Sequence, residues 1–207
     1  MREAQSMSPA GRRIVAAAEE LFYDRGITAV GVDLIAEHSG VTKRTLYNQF
    51  GSKDHLVAAY LDERDRRWRS LVLAAVGACG DPVETVTAPF DALRIWSESN
   101  TRGCAFINAL AELPDPAHPA YRIAAGQKLW LLDLFEELAT AAGCPNPALL
   151  AARLLTLHEG ALATQPLPLD TLSVSIDLAR ALVRAGAPGP DEAATGDGPD
   201  VRATDTA

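Results

Sequence analysis

The sequence is poor in the features that mark secreted and membrane proteins. Its 207 residues contain only three cysteines, widely spaced and without a Cys-x-x-Cys pair, which argues against a disulfide-stabilised secreted fold. It has no run of about 18 apolar residues, so no transmembrane helix is expected. The first residues lack the apolar segment of a signal peptide, and a cytoplasmic protein without membrane contact is therefore predicted.

The alternation of apolar and polar residues that is typical of β-strands is also missing beyond a few positions. Apolar side chains instead recur at helical spacing, and capping residues, glycines and prolines separate the segments. Pro89 is expected to kink the helix in which it lies. The pattern predicts an all-α protein with helices at about 9–25, 32–39, 43–49, 53–76, 83–99, 104–113, 120–142, 147–164 and 169–185.

Charge is distributed unevenly along the chain. The formal net charge is −8, yet residues 1–60 carry seven basic and seven acidic side chains, so the excess of acid belongs to residues 61–207. A basic surface in the front part is therefore compatible with an acidic whole. Residues 186–207 hold five acids, one arginine and a single large aliphatic side chain, and this composition predicts a disordered acidic tail.

Residues 32–50 have the layout of a helix-turn-helix. Gly40 allows a tight turn, Ala36 is small where two helices must cross, and Val41 and Leu46 are spaced to fill the gap between them. The second helix has no carboxylate, and its outer side carries groups that reach phosphates and base edges: Thr42, Lys43, Arg44, Thr45, Tyr47, Asn48 and Gln49. The alternative is an ordinary helical packing unit, but the coincidence of these features favours DNA binding.

Residues 12–60 resemble the N-terminal domain of TetR/AcrR-type transcriptional regulators, in RRIVAAAEELFYDRGI (12–27) and LIAEHSGVTKRTLYNQFGSKDHLVAAYL (34–61). GCAFINALAELPDPAHPA (103–120) resembles the regulatory domain of one branch of that family. The resemblance implies a three-helix helix-turn-helix DNA-binding domain at 8–52 and an antiparallel helical ligand-binding and dimerisation domain at 53–185, before the tail at 186–207.

The resemblance also implies how such a protein works. A homodimer places its third helices in successive major grooves of a near-palindromic double-stranded operator. A small-molecule effector then favours a subunit arrangement that no longer matches the two half-sites. We therefore predict a transcriptional regulator that represses by default and is released by an effector, with no enzymatic activity and no cofactor.

Carried over by resemblance, DNA contacts are expected from Gly31, Thr42, Lys43, Arg44, Thr45, Tyr47, Asn48 and Lys53. Tyr47 and Lys53 are expected to contact phosphates. The family usually has Ser or Thr at the position of Gly31; because glycine has no side chain, a phosphate contact there is expected from backbone amides. Arg44 stands where many relatives have Gly or Ala, and it contacts either a guanine or a phosphate. Asp33 lies close to the expected DNA, where it either caps its helix or repels phosphate.

The family places a small-molecule pocket among the C-terminal helices. Aromatic and aliphatic side chains with a few polar groups indicate a hydrophobic effector. One face of the helix predicted at 104–113 is expected to carry Cys104, Ile107, Asn108 and Ala111. The predicted lining residues are Phe90, Leu93, Trp96, Cys104, Ile107, Asn108, Ala111, Trp130, Leu134 and His158.

Other interpretations of these residues remain open at this point. The aromatic side chains fit plain core as well as a pocket. A Cys104–His158 catalytic pair would make the protein an enzyme, but no oxyanion-hole motif accompanies it. A ligand-binding or scaffold protein without DNA affinity is a third possibility. Four side chains could supply oxygen and nitrogen ligands to a metal, but they lack the usual spacing: Asn108, Glu112, His118 and His158. Neither a metal site nor a catalytic residue is therefore predicted.

The last two predicted helices carry more apolar surface than one buried face requires. Residues 169–185 show one stripe that includes Ile176 and Val183 and a second one made of Val174, Leu178 and Leu182. Two stripes indicate two packing partners, the same subunit and a symmetry mate. A helix buried centrally in a monomer is the alternative. The predicted dimer interface comprises Leu150, Leu154, Leu157, Ala161, Val174, Leu178 and Leu182.

Overall fold

The computed structural model describes residues 7–186, and within that range the chain forms helices and turns without any strand. The predicted all-α fold class is confirmed. The predicted acidic tail, from residue 187 onward, lies outside the described residues. The helices are α1 (Pro9–Arg25), α2 (Val32–His38), α3 (Lys43–Phe50), α4 (Lys53–Ala78), α5 (Pro82–Thr85), α6 (Ala88–Ser97), α7 (Ala105–Glu112), α8 (Pro119–Ala141), α9 (Pro147–Thr164) and α10 (Thr171–Gly186).

Helices α1 and α3 begin at residues whose side chains cap them, whereas the N-cap of α2 is Gly31. The Ser8 hydroxyl accepts a hydrogen bond from the Gly11 amide, and the Thr42 hydroxyl accepts one from the Thr45 amide. Gly26 ends α1 with a φ of 89°, a conformation that suits glycine. α1 packs across α2, α3 and the beginning of α4 around one apolar core.

The predicted helix at 83–99 is two helices, α5 and α6. α5 is a single turn, and its cap is the Asp81 carboxylate, which accepts from the amides of Val83 and Glu84. Pro89 lies in the first turn of α6, where the missing amide hydrogen would have no partner inside the helix. The predicted kink at Pro89 is therefore wrong, because the proline starts a new helix instead of bending an existing one.

The rear helices form a second core around α9. α8 and α10 pack along α9, and α4 and α6 cover the other side, with Phe90 and Phe135 fully buried between them. α4 belongs to both cores, since Leu56 and Tyr60 are part of the front core and Val72 is part of the rear one. Among the described helices, none has the length and apolar character needed to cross a bilayer.

The last two helices divide their apolar residues between the core and the surface. On α10 the residues Ile176, Ala179 and Val183 of the first predicted stripe are buried, whereas Leu169 of that stripe precedes the helix and is 66% exposed. Val174 and Leu178 of the second stripe are 57% and 49% exposed. The prediction is wrong for part of α9, because three residues assigned to the dimer interface lie in the core of their own chain: Leu150, Leu154 and Ala161. α9 is apolar on several sides, and periodicity does not tell which side faces which neighbour.

Candidate nucleic-acid interface and effector cavity

α3 presents a polar outer face above an apolar inner side. Leu46 is fully buried, whereas Lys43, Arg44 and Asn48 are exposed and Tyr47 is 40% exposed. α3 contains no acidic residue. Its outward side therefore offers cations, an amide and a hydroxyl, which are the groups that contact phosphates and base edges in a DNA groove.

The turn between α2 and α3 holds this helix at a fixed angle. Gly40 has a φ of 65°, and space for a Cβ exists there, so the backbone conformation is what requires glycine. The Val41 amide donates to the Ala36 carbonyl at 3.0 Å. The Ser39 hydroxyl donates back to the carbonyl of Ile35 at 2.7 Å. These bonds satisfy the end of α2 and give the predicted helix-turn-helix arrangement.

Asp33 forms an ion pair with Lys43 across the two helices. The Lys43 ammonium lies 2.9 Å and 3.0 Å from the two carboxylate oxygens, and the hydrogen bond that it donates to Asp33 raises the pKa of Lys43. Asp33 does not cap α2, whose N-cap is Gly31 without any side-chain bond. Both partners are exposed, so the pair is weak and Lys43 is able to exchange the carboxylate for a phosphate.

Lys53 is placed differently from the sequence prediction. Its ammonium donates to the Ile27 carbonyl at 2.6 Å and lies 5.8 Å from the centre of the Phe22 ring. Burial at this position lowers the pKa of Lys53. The ammonium braces α4 against the segment that joins α1 to α2, so the predicted phosphate contact of Lys53 is not supported.

A small cavity lies where α4, α6, α8 and α9 meet the beginning of α7. The volume of the cavity is about 20 Å³, which is enough for one or two water molecules. Four of the predicted ligand residues line it, namely Leu93, Trp96, Cys104 and His158. The other lining residues are Arg64, Trp68, Gly103, Ala105, Phe106, Gln127, Lys128 and Leu162.

The other six predicted ligand residues do not line this cavity. Phe90 and Leu134 belong to the rear core, and Trp130 packs under the guanidinium of Arg69. Ile107 is 43% exposed. The prediction is wrong for these residues because large apolar side chains of a core and of a cavity recur at the same helical spacing.

Asn108 and Ala111 line a separate cleft between α1 and α7. α7 buries the side formed by Ala105, Phe106 and Ala109, so the predicted apolar face of this helix, which includes Asn108, points the other way. Of the four residues on that predicted face, Cys104, which precedes the helix as its N-cap, is the one that lines the cavity.

Sequence reasoning missed the charged residues of the cavity. The Arg64 side chain is 3% exposed and donates to Glu19 at 2.9 Å and to Asn100 at 2.6 Å. Lys128 donates to Glu159 at 2.8 Å and to the Cys104 sulfur at 3.1 Å. In the sequence, Arg64 and Lys128 are typical of solvent-exposed helix faces, and their partners are too distant along the chain to give a local signal.

His158 stands at the centre of the rear core and is 1% exposed. The ring centres of Trp68 and Phe90 both lie 5.6 Å from the His158 ring. Burial lowers the pKa of His158, so the imidazole is neutral and its Nδ1 donates to Glu159 at 3.1 Å. Burial opposes the charge of Glu159, but His158 and Lys128 outweigh it and lower the pKa of Glu159 to about 2.

The polar residues considered for metal binding or catalysis have other partners. Glu112 accepts from the Thr28 amide at 2.7 Å, and His118 caps α8. Within residues 7–186, no three His, Cys, Asp or Glu side chains are grouped closely enough to hold a metal ion. Cys104 and His158 line the same cavity, but they are hydrogen-bonded to Lys128 and Glu159 and not to each other.

Known proteins match both halves of this architecture. Residues 14–60 match the family model of bacterial regulatory proteins of the tetR family. The crystal structure of SCO4454, a TetR-family transcriptional regulator from Streptomyces coelicolor, is 34% identical to this chain, with a TM-score of 0.81. The match covers 87% of this chain and 97% of that one.

Two curated relatives extend the comparison. The HTH-type transcriptional regulator YjdC of Escherichia coli is 25% identical over 154 residues, which are 72% of this chain and 80% of YjdC. The HTH-type transcriptional activator FasR of Mycolicibacterium smegmatis is 34% identical over 91 residues, and that match spans only 42% of FasR. All of these relatives are named as transcriptional regulators. The chain belongs to the TetR family and is a DNA-binding transcriptional regulator, not an enzyme.

Proposed function

We propose that the protein is a homodimeric repressor that binds a near-palindromic operator through α3 and releases it when a small effector enters the cavity and enlarges it. One observation carries the DNA-binding part of this proposal: α3 is free of acids and exposed along its polar side, while Leu46 anchors it from below. We assign the DNA-binding domain to residues 8–52 and the effector and dimerisation domain to residues 53–185, with α4 shared between their cores.

The proposed DNA contacts follow the exposed side of the helix-turn-helix. Lys53 is left out because its ammonium is bound to the Ile27 carbonyl. Thr42 and Thr45 are joined by a 2.8 Å hydrogen bond between their hydroxyls, so they present one fixed pair of oxygens. The proposed set is Gly31 through its backbone, Thr42, Lys43, Arg44, Thr45, Tyr47 and Asn48.

The cavity has a mostly apolar lining with a few polar groups, so the proposed effector is a small hydrophobic molecule that carries a hydrogen-bonding group. Arg64, Gln127 and Lys128 line it beside the aromatic rings, and such a lining selects ligands that form hydrogen bonds. Its polar residues are connected to the front domain, since Arg64 on α4 holds Glu19 of α1. Effector binding is thus proposed to shift α4 and α1 together and to change the separation of the two recognition helices.

DNA-fragment selection with the purified protein tests the main proposal. We expect a palindromic site with half-sites about 34–36 Å apart, bound with a strong salt dependence. Arg44→Ala should weaken binding to that site by roughly tenfold to a hundredfold, because a good arginine–guanine pair is worth about 1–3 kcal/mol. Arg122→Ala removes an exposed arginine from α8, outside the helix-turn-helix, and should leave affinity unchanged. Recovery of no duplex with salt-dependent affinity would refute the proposal.

Asp33→Asn is expected to strengthen DNA binding. The carboxylate holds Lys43 at 2.9 Å and repels phosphate, so its loss frees the ammonium for the DNA backbone. We expect roughly threefold to tenfold tighter binding, and a slope of log K against log salt that is steeper by about one unit. The measurement is a salt titration with the selected duplex. Glu136→Gln on α8 removes the same charge outside α2 and α3, and an equal gain in that variant would mean that only net charge matters.

A further inference from the structure

We propose that Cys104 is a covalent sensor of small α,β-unsaturated carbonyl compounds. Its sulfur adds to such a molecule in the cavity, and the adduct weakens DNA binding. The chemical half of this inference stands on the cavity alone. The regulatory half rests on the proposed function.

The surroundings of the Cys104 sulfur are those of a nucleophilic thiol. The Lys128 ammonium donates to the sulfur at 3.1 Å, and Cys104 is the N-cap of the eight-residue helix α7. A neighbouring cation and a helix N-terminus are two features that activate cysteines in proteins, together with partial exposure. Cys104 is half-buried, so a small reagent has access to it.

Lys128 keeps its charge in this position. Burial opposes an ammonium here, but the neighbouring Cys104 and Glu159 outweigh that effect and raise the pKa of Lys128. His158 donates to Glu159 as well, so the Glu159 carboxylate is shared between the imidazole and Lys128. Glu159 therefore holds the positively charged Lys128 ammonium next to the Cys104 sulfur.

The other two cysteines of the chain lack this arrangement and serve as internal references. Cys144 is 7% exposed, and burial raises the pKa of its thiol. Cys79 ends α4 and is half-buried like Cys104. Within residues 7–186, the Cys79 sulfur receives no side-chain hydrogen bond. Cys79 thus has similar exposure to Cys104 without a lysine bonded to its sulfur.

The cavity beside Cys104 contains polar groups that lack partners. Gln127 and His158 are each 1% exposed, and among the described residues neither Oε1 of Gln127 nor Nε2 of His158 has a hydrogen-bond partner. The indole N–H of Trp68, on the same lining, is also unpaired. Buried polar groups are costly when they remain unpaired. A small ligand with a carbonyl oxygen supplies an acceptor for that indole N–H.

The proposed reaction conserves all atoms and needs no oxidant. The Cys104 thiol gives its proton to water, and the sulfur forms a C–S bond with the β-carbon of the unsaturated carbonyl. The π electrons of the C=C bond move to the α-carbon side as an enolate. The α-carbon then takes a proton from the Lys128 ammonium, which regains one from water. The product is a thioether whose mass is that of the protein plus the reagent.

The adduct has a short route to the DNA-binding domain. Gly103, next to Cys104, accepts a hydrogen bond from the Tyr23 hydroxyl at 3.2 Å, and the Arg102 amide donates to that hydroxyl at 2.8 Å. A Cβ on Gly103 would lie 3.3 Å from the Leu162 carbonyl, so this segment is tightly enclosed. Added volume on Cys104 displaces the segment and, through Tyr23, the end of α1.

The test treats the full-length protein with methyl vinyl ketone and maps the adduct on each cysteine by mass spectrometry. We expect Cys104 to react at least about tenfold faster than Cys79 and Cys144. Lys128→Met should remove this advantage and Lys128→Arg should keep most of it. Fast labelling of Cys144 would report a variant that has opened, so a loss of fold is recognised in the same sample.

The DNA readout uses the duplex recovered by selection. Methyl vinyl ketone should weaken binding of the unmodified sequence about tenfold or more, whereas Cys104→Ser and treatment with saturated 2-butanone should show no effect. If Cys104 reacts no faster than Cys79, or if its adduct leaves DNA affinity unchanged, the inference is overturned while the regulator remains. A protein that binds no duplex would instead refute the proposed function, with the selectivity for Cys104 still measured.

Discussion

Leu178→Glu is expected to convert the protein to monomers and to reduce operator affinity by about a hundredfold or more, since a dimer engages two half-sites and a monomer only one. Leu178 is 49% exposed and, with Leu157 and Leu182, lines an open groove of about 480 Å³ between α9 and α10. A carboxylate placed in this interface would lose its hydration, and that cost opposes association. Sedimentation velocity measures the dimer, and the selected duplex measures binding.

Leu129→Glu is the matched control for this prediction. Leu129 lies on α8 and is 60% exposed, which makes it even more accessible than Leu178, but it is not part of the groove. The same substitution there should leave both the dimer and DNA binding intact. A Leu178→Glu protein that remains dimeric would show that subunits associate through another face, and monomers from both variants would show that any added charge dissociates them.

Local signals in the sequence were sufficient for the boundaries of most helices and for the helix-turn-helix. Ser8 and Thr42 cap their helices through bonds to amides three residues away, and Gly40 adopts the positive φ that its turn requires. Such features depend on neighbours in the chain, so they can be read without knowledge of the fold. The Asp81–Pro82 start of α5 carries the same kind of signal, and Pro89 in the first turn of α6 marks the point that divides the helix predicted at 83–99.

The cavity lined by Arg64 and Lys128 was harder to predict because its polar contacts join distant parts of the chain. Arg64 binds Glu19, 45 positions away, and Lys128 binds Glu159, 31 positions away. Each of these residues, taken alone, is typical of a solvated helix surface. On α9 the difficulty is the opposite one, since leucines occupy more than one side, and only the packing of α8 and α10 decides which of them reach the surface.

Arg64→Met is expected to destabilise the protein by about 3 kcal/mol, because it removes a buried guanidinium that binds both Glu19 and Asn100. Glu19 keeps its contact with Arg67, but the buried hydrogen bonds of Arg64 are lost. Arg64 joins three parts of the chain: it donates to Glu19 of α1 and to Asn100 before α7, and its guanidinium lies 4.6 Å from the centre of the Tyr23 ring. Urea unfolding measures the loss, which corresponds to a decrease in Tm of roughly 6–12 °C for a chain of this size.

Arg67→Met separates burial from charge in this prediction. Arg67 contacts the same Glu19 carboxylate, but its side chain is 47% exposed, against 3% for Arg64. Exposed ion pairs contribute at most about 1 kcal/mol, so this variant should unfold close to the unmodified protein. Equal losses in the two variants would contradict the assignment of Arg64 as the buried connection between α1, α4 and the cavity. A large loss confined to Arg64→Met would support it, and the same connection is the one through which the cavity is proposed to act on α1.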